Sequence, residues 1–422
     1  MHKYKVKFIV IFIAYSSLLL GFFLNENSSG GALNDFKHHY EVMLGFNIDF
    51  GYSLHNYHVY KNDHSPLFIS TLLVIFNILG SEDLLRFVFF HFALFIPFFF
   101  YLCLKQIFKD VDSDKLFIFS FILILSPHVR SLSFWPGSEI ISLLFFLLSI
   151  FFYSKFLDKH EIKYAYLNIL FLALSSYYKP IYAVFSVLFF IEFIKVFGVS
   201  RKTLILALEN IFLSVPAFYF ILFINNYPFR LQQENESIYS FNISNIILIV
   251  SSIILFHFLF FIYYFINSKK LFLFKNIKLV EIILIAILTI ILSLSFNFDV
   301  SQLGVGGGVF LKVSNLLFGN DIIFFVICFF SIIVIYSIIK LNFLLHLMIF
   351  LCLFLQNPLN YFYHEYYDPL FMILFFTLFS SKLSNDFFKE KTNIFSLYVF
   401  YSLFFMMNLF KNLNYFTNNI IF

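Results

Sequence analysis

Long apolar segments, separated by short polar breaks, follow one another along the whole chain. A helix that crosses the roughly 30 Å hydrocarbon core of a bilayer needs about 20 apolar residues. Breaks rich in charged residues, Asn, Gly or Pro divide the chain into about 13 segments of this kind. The apolar cores of these segments cover approximately residues 8–24, 84–104, 116–133, 139–156, 164–178, 180–197, 203–224, 245–266, 279–296, 321–339, 342–356, 369–381 and 394–411. The pattern predicts an all-α integral membrane protein.

The composition supports this prediction. Hydrophobic residues make up 61% of the 422 positions and charged residues only 12%, which excludes an ordinary soluble domain. The three cysteines lie inside apolar segments without the spacing of a metal site, so neither a disulfide nor a cofactor is expected. The small net charge of +4 reflects membrane topology and does not indicate nucleic-acid binding.

The basic residues predict how the helices are oriented. With the N-terminus in the cytoplasm, all but eight of the 28 Lys and Arg residues fall in cytoplasmic loops, as the positive-inside rule requires. The eight exceptions are Lys37, Lys61, Arg86, Arg130, Lys179, Arg230, Lys312 and Lys411. We therefore expect a multi-pass membrane protein whose N-terminus is cytoplasmic and whose polar loops face the opposite, outer side.

The largest of these polar loops follows the first predicted helix and covers residues 25–83. Its first part is expected to form a short helix on the membrane surface, with Asn34 or Asp35 as the N-cap. A second helix is predicted from Pro66 to just before Gly80. Its length of about 14 residues is too short to cross the bilayer, so this helix is also expected to be interfacial.

Several short elements of this loop occur in a characteristic order. An early Asp is followed by two juxtamembrane helices, the His-Ser-Pro-Leu element His64–Leu67 and the sequence Gly80–Phe87. In this organisation residues 1–200 resemble the GT-C glycosyltransferases. The similarity is closest to the aminoarabinose transferase and protein O-mannosyltransferase-like branch, which includes the RgtA/B/C/D-like proteins. The resemblance implies a GT-C-like fold and transfer of a sugar from a polyprenyl-phosphate carrier to a lipid or glycan acceptor.

The same resemblance implies a catalytic base soon after the first helix, and Asp35 occupies that position. A carboxylate there would take the proton of the acceptor hydroxyl in an inverting transfer. The alternative is that Asp35 only caps a helix. His64 is predicted to bind substrate. No metal is expected, because Asn34 precedes Asp35 where the family commonly has two adjacent acidic residues, and because the neighbours His38 and His39 point in different directions on a helix.

A glycine-rich tract in a later outer loop is the second candidate site. It covers Gly304–Gly308, and Gly306, Gly307 and Gly308 are predicted to direct backbone N–H groups at the carrier phosphate. Lys312 would supply the counter-charge. The alternative is a flexible loop that carries an interfacial lysine.

An aromatic and ionisable cluster at residues 361–369 precedes one of the predicted spans. Tyrosines at this depth commonly form an anchoring belt. The cluster holds more ionisable groups than anchoring requires, so His364 and Tyr367 are predicted to contact substrate.

Four ionisable residues, Arg86, Arg130, Glu139 and Lys179, lie at the outer ends of predicted helices. An ionisable group at membrane depth costs about 2.5–3.5 kcal/mol and therefore normally faces a cavity or a partner. Arg86 or Lys179 is a candidate ligand of the phosphate. The alternative is a snorkelling side chain or a structural pair, such as Arg130 with Glu139.

Together these features predict a glycosyltransferase that depends on a polyprenyl-phosphate sugar. Residues 1–224 would form its catalytic module, and residues 225–422 a C-terminal module that contacts the carrier lipid and the acceptor. Two other functions stay open. A transporter or flippase of a lipid-linked saccharide would need ionisable residues near helix midpoints, and an O-antigen polymerase would need essential arginines in large central loops, where residues 225–244 hold only Arg230.

Overall fold

The computed structural model describes residues 2–60, 62, 64–224, 242–267, 277–299, 306–356, 362–379 and 382–420. Within these ranges the chain is almost entirely helical and has no β-strand beyond one isolated bridge, between Gly306 and Phe362. The helices before residue 225 are α1 (His2–Phe23), α2 (Ala32–Ile48), α3 (Phe50–His55), α4 (Pro66–Leu79), α5 (Glu82–Ile107), α6 (Ser113–Ser120), α7 (Pro127–Phe134), α8 (Ser138–Lys159), α9 (Ile162–Tyr178), α10 (Phe185–Phe197) and α11 (Arg201–Tyr219). Those after residue 241 are α12 (Ile243–Leu259), α13 (Ile262–Asn267), α14 (Leu279–Leu294), α15 (Gly308–Phe318), α16 (Ile322–Ile339), α17 (Phe343–Leu355), α18 (Leu370–Thr377), α19 (Lys382–Phe387) and α20 (Lys391–Ile420). The predicted all-α fold is confirmed.

Seven helices of the described residues are long and apolar enough to cross a membrane. They comprise Lys5–Phe23, Glu82–Ile107, Ser138–Lys159, Pro180–Phe197, Arg201–Ile224, Ile322–Ile339 and Lys391–Lys411. An eighth span results if Ser113–Leu125 and Pro127–Phe134, which are bent by 68° at their junction, are counted together. The chain is therefore a multi-pass membrane protein.

The other five predicted spans coincide with shorter helices, namely α9, α12, α14, α17 and α18. The total of about 13 spans therefore stays a prediction. One apolar helix, α15, was not predicted and lies in what the sequence indicated to be an outer loop.

The two helices predicted between the first two spans are present as α2 and α4. Helix α4 has the predicted bounds. The Ser65 hydroxyl accepts a hydrogen bond from the Leu67 N–H at 3.2 Å, Pro66 occupies the first turn, and Gly80 ends the helix with a positive φ of 76°. These signals are local, which is why the sequence predicted α4 well.

The predicted N-cap of α2 is wrong. The helix begins at Ala32, so Gly31 holds the cap position, and no side chain makes a capping hydrogen bond there. Asp35 therefore lies inside the first turn of α2. Its carboxylate is free of the capping role that was the alternative to catalysis.

The chain forms two compact units. The first contains Met1–Leu231 and Tyr401–Phe422, and the second contains Gln232–Phe400. The boundary lies close to the predicted division at residue 225, but the end of the chain belongs with the first unit. How function is divided between them stays a prediction.

Polar contacts join α8 and α9 inside the first unit. The Ser142 and Ser175 hydroxyls donate to each other's carbonyl oxygens at 2.7 and 2.8 Å, and Asn168 Nδ2 donates to the Ser149 carbonyl oxygen at 2.9 Å. All four residues are buried. Small residues and interhelical hydrogen bonds of this kind hold helices together where no hydrophobic driving force exists between them.

The loops predicted to be cytoplasmic and those predicted to be outer lie at opposite ends of the first unit. At one end Lys7 pairs with Asp114 at 3.4 Å, and Lys109 pairs with Asp158 at 2.5 Å. These contacts bring together the start of α1, the end of α5, the start of α6 and the end of α8. The end of α1 and the starts of α5 and α8 lie at the other end. The predicted sorting of the loops is thus supported, while the face of the membrane that each end occupies stays a prediction.

A buried ion pair fixes the turn that leaves α1. Arg130 is 2% exposed and Glu26 8% exposed. The Arg130 Nε and Nη2 atoms donate to the two Glu26 carboxylate oxygens at 2.7 and 2.5 Å, and Nη1 donates to Ser17 Oγ at 3.0 Å. Trp135 Nε1 donates to the Glu26 carbonyl oxygen at 3.0 Å. The predicted pair of Arg130 with Glu139 is therefore wrong.

Arg130→Leu should destabilise the protein by about 3–5 kcal/mol, because Glu26 would stay buried without a counter-charge. The double variant Glu26→Gln with Arg130→Met should recover most of this loss. Thermal unfolding in detergent, followed with a thiol-reactive dye, measures both, since Cys103, Cys328 and Cys352 are free and buried. An unchanged melting temperature in the single variant would show that the pair does not stabilise the fold.

Candidate active site

An ion pair joins the start of α8 to the residue that follows α9. Lys179 Nζ donates to a carboxylate oxygen of Glu139, and the two side chains are only 14% and 17% exposed. Lys179 opposes the topological bias of the basic residues, and the structure explains this by pairing it with Glu139. The ammonium and the carboxylate lie at the end of the first unit where the turn after α1 is also held.

A hydrogen-bonded chain extends from this pair to the segment before α4. The Ser138 hydroxyl donates to a Glu139 carboxylate oxygen at 3.4 Å and lies 2.9 Å from His64 Nδ1. Because the hydroxyl proton is directed at the carboxylate, His64 Nδ1 is the donor to Ser138. The His64 backbone is held on both sides, by Tyr57 Oη on its carbonyl oxygen at 2.6 Å and by Asn62 Oδ1 on its N–H at 3.0 Å.

A second histidine, His39 of α2, packs against His64. Their ring centroids are 4.3 Å apart and nearly perpendicular, and His39 is 2% exposed. Burial, together with the Lys179 charge, lowers the pKa of His64 to about 4. Burial also holds the pKa of His39 well below its ordinary value. Both imidazoles are therefore neutral at physiological pH.

Asp35 lies beside this cluster in the first turn of α2. Asp35 is exposed, whereas Glu139 and Lys179 are only partly exposed. Surrounding protein nevertheless raises the pKa of Asp35, and so does the negative charge of Glu139, while Lys179 and His38 oppose the rise.

This arrangement has the groups that a proton-transfer site requires. An accessible carboxylate with a raised pKa can accept a proton at neutral pH. Lys179 supplies positive charge next to it, and neutral imidazoles and a serine hydroxyl supply hydrogen bonds without further charge. In the described part of the chain no group of three or more His, Cys, Asp or Glu side chains is arranged to hold a metal ion.

Arg86 belongs to the structural contacts around the turn after α1. Its Nε atom donates to the Phe134 carbonyl oxygen at 2.9 Å and its Nη2 atom to Asn25 Oδ1 at 2.7 Å. Nη1 pairs with Asp83 at 3.2 Å, and the guanidinium lies 3.9 Å from the Trp135 ring centroid. Each guanidinium nitrogen thus has a partner within the chain. The structure accounts for Arg86 as the residue that ties α5 to the end of α1, and phosphate binding by Arg86 stays a prediction.

The glycine tract lies in the second unit, where part of its backbone already has partners. Gly306, Gly307 and Gly308 all have positive φ values, of 82°, 92° and 81°. A side chain at Gly306 would lie 2.2 Å from the Phe362 carbonyl oxygen, so only glycine fits there. The same carbonyl oxygen accepts the Gly307 N–H at 2.9 Å. Gly304 lies outside the described residues, as does Arg230.

His364 closes the start of α15. Its Nε2 atom accepts the Val309 N–H at 3.0 Å, and its ring packs 4.7 Å from that of Phe256. Of the N–H groups predicted to surround a phosphate, that of Gly307 is therefore occupied by the chain itself, and so is that of Val309 just after the tract. Binding of the carrier phosphate by this tract stays a prediction.

Two other predicted residues of the second unit differ in exposure. Lys312 lies exposed on α15, within one turn of the glycine tract. Tyr367 is fully buried, and burial raises the pKa of its hydroxyl. A buried Tyr367 contacts a substrate only if the surrounding chain moves.

The structure thus brings Asp35, His64 and Lys179 into one cluster. It adds Glu139, Ser138 and His39, which the sequence did not assign to a site. The pairing of Glu139 could have been predicted, because Glu139 and Lys179 carry opposite charges and both lie at predicted outer ends of helices. Nothing in the sequence paired Ser138 or His39 with His64. Ser138 is 74 positions from His64, and His39 belongs to α2 whereas His64 precedes α4.

Lowering the pH from about 6.5 to 4 should destabilise this cluster, because the unfolded chain binds protons that His39 and His64 cannot accept when buried. The raised pKa of Asp35 acts in the opposite direction at the acid end. His64→Asn keeps a donor to Ser138 but does not titrate, so its melting temperature should depend less on pH than that of the wild type. Thermal unfolding measured across this pH range tests the expectation, and equal slopes for the two proteins would contradict it.

Comparison of the chain with protein-family models, with curated proteins and with solved structures finds no match in any of the three. The assignment of a function therefore depends on the residues and contacts described above.

Proposed function

We propose that the chain is a GT-C-type membrane glycosyltransferase that transfers a sugar from a polyprenyl-phosphate carrier to an acceptor at the periplasmic face. The observation that carries the proposal is the exposed Asp35 carboxylate beside the Lys179–Glu139 pair. This is the chemistry expected of the base in the family that residues 1–200 resemble.

In the proposed reaction the acceptor hydroxyl oxygen attacks the anomeric carbon of the sugar. A new carbon–oxygen bond forms there while the bond to the phosphate oxygen breaks, and its electron pair leaves with the polyprenyl phosphate. The hydroxyl proton passes to Asp35, and the configuration at the anomeric carbon inverts. Because Asp35 is exposed, it can return the proton to water before the next cycle.

The charges of the cluster suit this step. A base works best when its pKa approaches the working pH, and the surrounding protein together with Glu139 moves the pKa of Asp35 in that direction. Lys179 and His38 oppose the rise. The positive charge of Lys179 also stabilises the departing phosphate anion. This leaving group needs a cation or N–H donors and no general acid.

The position of the polar groups favours a transferase over a flippase. Glu139 is the second residue of α8, and Lys179 directly follows α9. Asp35 belongs to a helix outside the predicted spans. A flippase of a lipid-linked saccharide would instead place such groups near helix midpoints, where the substrate crosses.

Asp35→Asn should lower transfer by about 10²- to 10⁴-fold, the usual effect of losing general-base assistance, without loss of folding. Helix α2 does not need the carboxylate as a cap. The matched control is Asp49→Asn, because Asp49 is an exposed carboxylate that caps α3 by accepting the Tyr52 N–H at 2.9 Å. Transfer measured with fluorescent lipid-linked sugars should fall only in the first variant, and an active Asp35→Asn protein would refute the assignment.

The orientation of the site is tested separately by labelling single cysteines with a membrane-impermeant thiol reagent in intact cells. Asp35→Cys should react from outside the inner membrane and Asp112→Cys should not, because the two exposed positions lie at opposite ends of the first unit. The buried native cysteines give little background. The reverse labelling pattern would place the site in the cytoplasm.

A further inference from the structure

His39 occupies the same face of α2 as Asp35, one helical turn further along. The two residues are four positions apart, which puts their side chains next to each other on a helix. Asp35 is exposed and His39 is 2% exposed. His39 therefore lies deeper in the same region of the cluster.

One hydrogen bond determines which ring nitrogen of His39 carries the proton. Asn62 Nδ2 lies 3.5 Å from His39 Nδ1, and an amide nitrogen can only donate, so Nδ1 is an acceptor. In a neutral imidazole the proton is then on Nε2. Nε2 is buried and has no hydrogen-bond partner among the described residues.

A buried N–H donor without a partner is rare in folded proteins and costs stability. Around His39 the ring of His64 lies at 4.3 Å and that of Phe68 at 5.3 Å. Glu139 and Lys179 are close enough to act on its charge, but they are paired with each other. Because Nε2 is fully buried, a molecule that enters beside Asp35 reaches this unused donor only when the side chains around it move.

We propose that His39 is a substrate-binding residue whose Nε2–H donates a hydrogen bond to an oxygen of the donor sugar, an inference that rests on the proposed function. One helical turn is about 5.4 Å, which is comparable to the width of a sugar ring. A sugar whose anomeric carbon lies near the acceptor held by Asp35 would thus place a ring or hydroxyl oxygen near His39. A sugar oxygen fits better than a phosphate oxygen, since the donor is uncharged and a phosphate is bound best by cations.

Two substitutions separate binding from folding. His39→Phe keeps a ring of similar shape and removes the donor, while His39→Gln places an amide N–H near the position of Nε2. The matched control is His346→Phe in the second unit. His346 is also fully buried, makes one contact through Nδ1, with the Ile338 carbonyl oxygen at 2.7 Å, and has no partner at Nε2 among the described residues. The two Phe variants should therefore change the melting temperature by similar amounts.

The test measures binding of purified full-length protein in nanodiscs to undecaprenyl phosphate and to undecaprenyl phosphate carrying glucose, mannose or arabinose. His39→Phe should weaken binding of the recognised glycosylated lipid by roughly 3- to 10-fold, the effect of one neutral hydrogen bond, and leave undecaprenyl phosphate unaffected. His39→Gln should restore much of the affinity, and His346→Phe should bind like the wild type.

Three results would contradict the proposals, and they can be told apart. Wild-type affinity of His39→Phe for the glycosylated lipid would overturn the role of His39 and leave the proposed function standing. Equal weakening for the glycosylated and the unglycosylated lipid would show that the contact is to phosphate, which also overturns the assignment to the sugar. A wild-type protein that binds none of these lipids would instead contradict the proposed function.

Discussion

The buried pair of Arg130 and Glu26 is the contact on which the rest of the candidate site depends. A charged side chain inside a membrane protein is stable only with a partner that also satisfies its hydrogen bonds, and Arg130 has Glu26 and Ser17 for this purpose. The pair holds the turn that leaves α1 against α7. The same turn leads directly into α2, so the position of Asp35 follows from it.

A single tryptophan extends this arrangement towards the site. Trp135 donates to the Glu26 carbonyl oxygen, lies under the Arg86 guanidinium, and packs 6.1 Å from Phe36, the residue after Asp35. One side chain thus links the end of α1, the start of α5 and the first turn of α2. Rigid support of this kind holds a catalytic carboxylate in place, because small displacements of reacting groups are costly in rate.

The cluster around Asp35 combines opposite electrostatic demands. The base has to be ionised before the reaction and protonated after it, so its environment has to favour neither state strongly. The surrounding protein and Glu139 raise the pKa of Asp35, and Lys179 lowers it. The histidines stay neutral and hold the segment before α4 close to the pair without adding charge. In the second unit, by contrast, Gly307 and Val309 donate their N–H groups to Phe362 and His364, so these two donors serve the local fold.

The sequence by itself determined that the chain is all-α and rich in apolar helices, and it predicted the bounds of α4 and which loops of the first unit share an end. Hydropathy, the Ser65 cap and the helix end at Gly80 are properties of short stretches of sequence. The Lys and Arg content of a loop predicts its side of the membrane in the same local way. The sequence placed the candidate residues Asp35, His64 and Lys179 on the same side, but not in one cluster. Only the tertiary structure decided that Arg130 pairs with Glu26, 104 positions away, and that Glu139 pairs with Lys179. In the structure α2 begins at Ala32, earlier than the predicted N-cap at Asn34 or Asp35, because distant residues hold the turn before it, as when Ser28 donates to the Pro127 carbonyl oxygen. Ion pairs and hydrogen bonds between helices depend on how those helices pack, and no period along the chain encodes their partners.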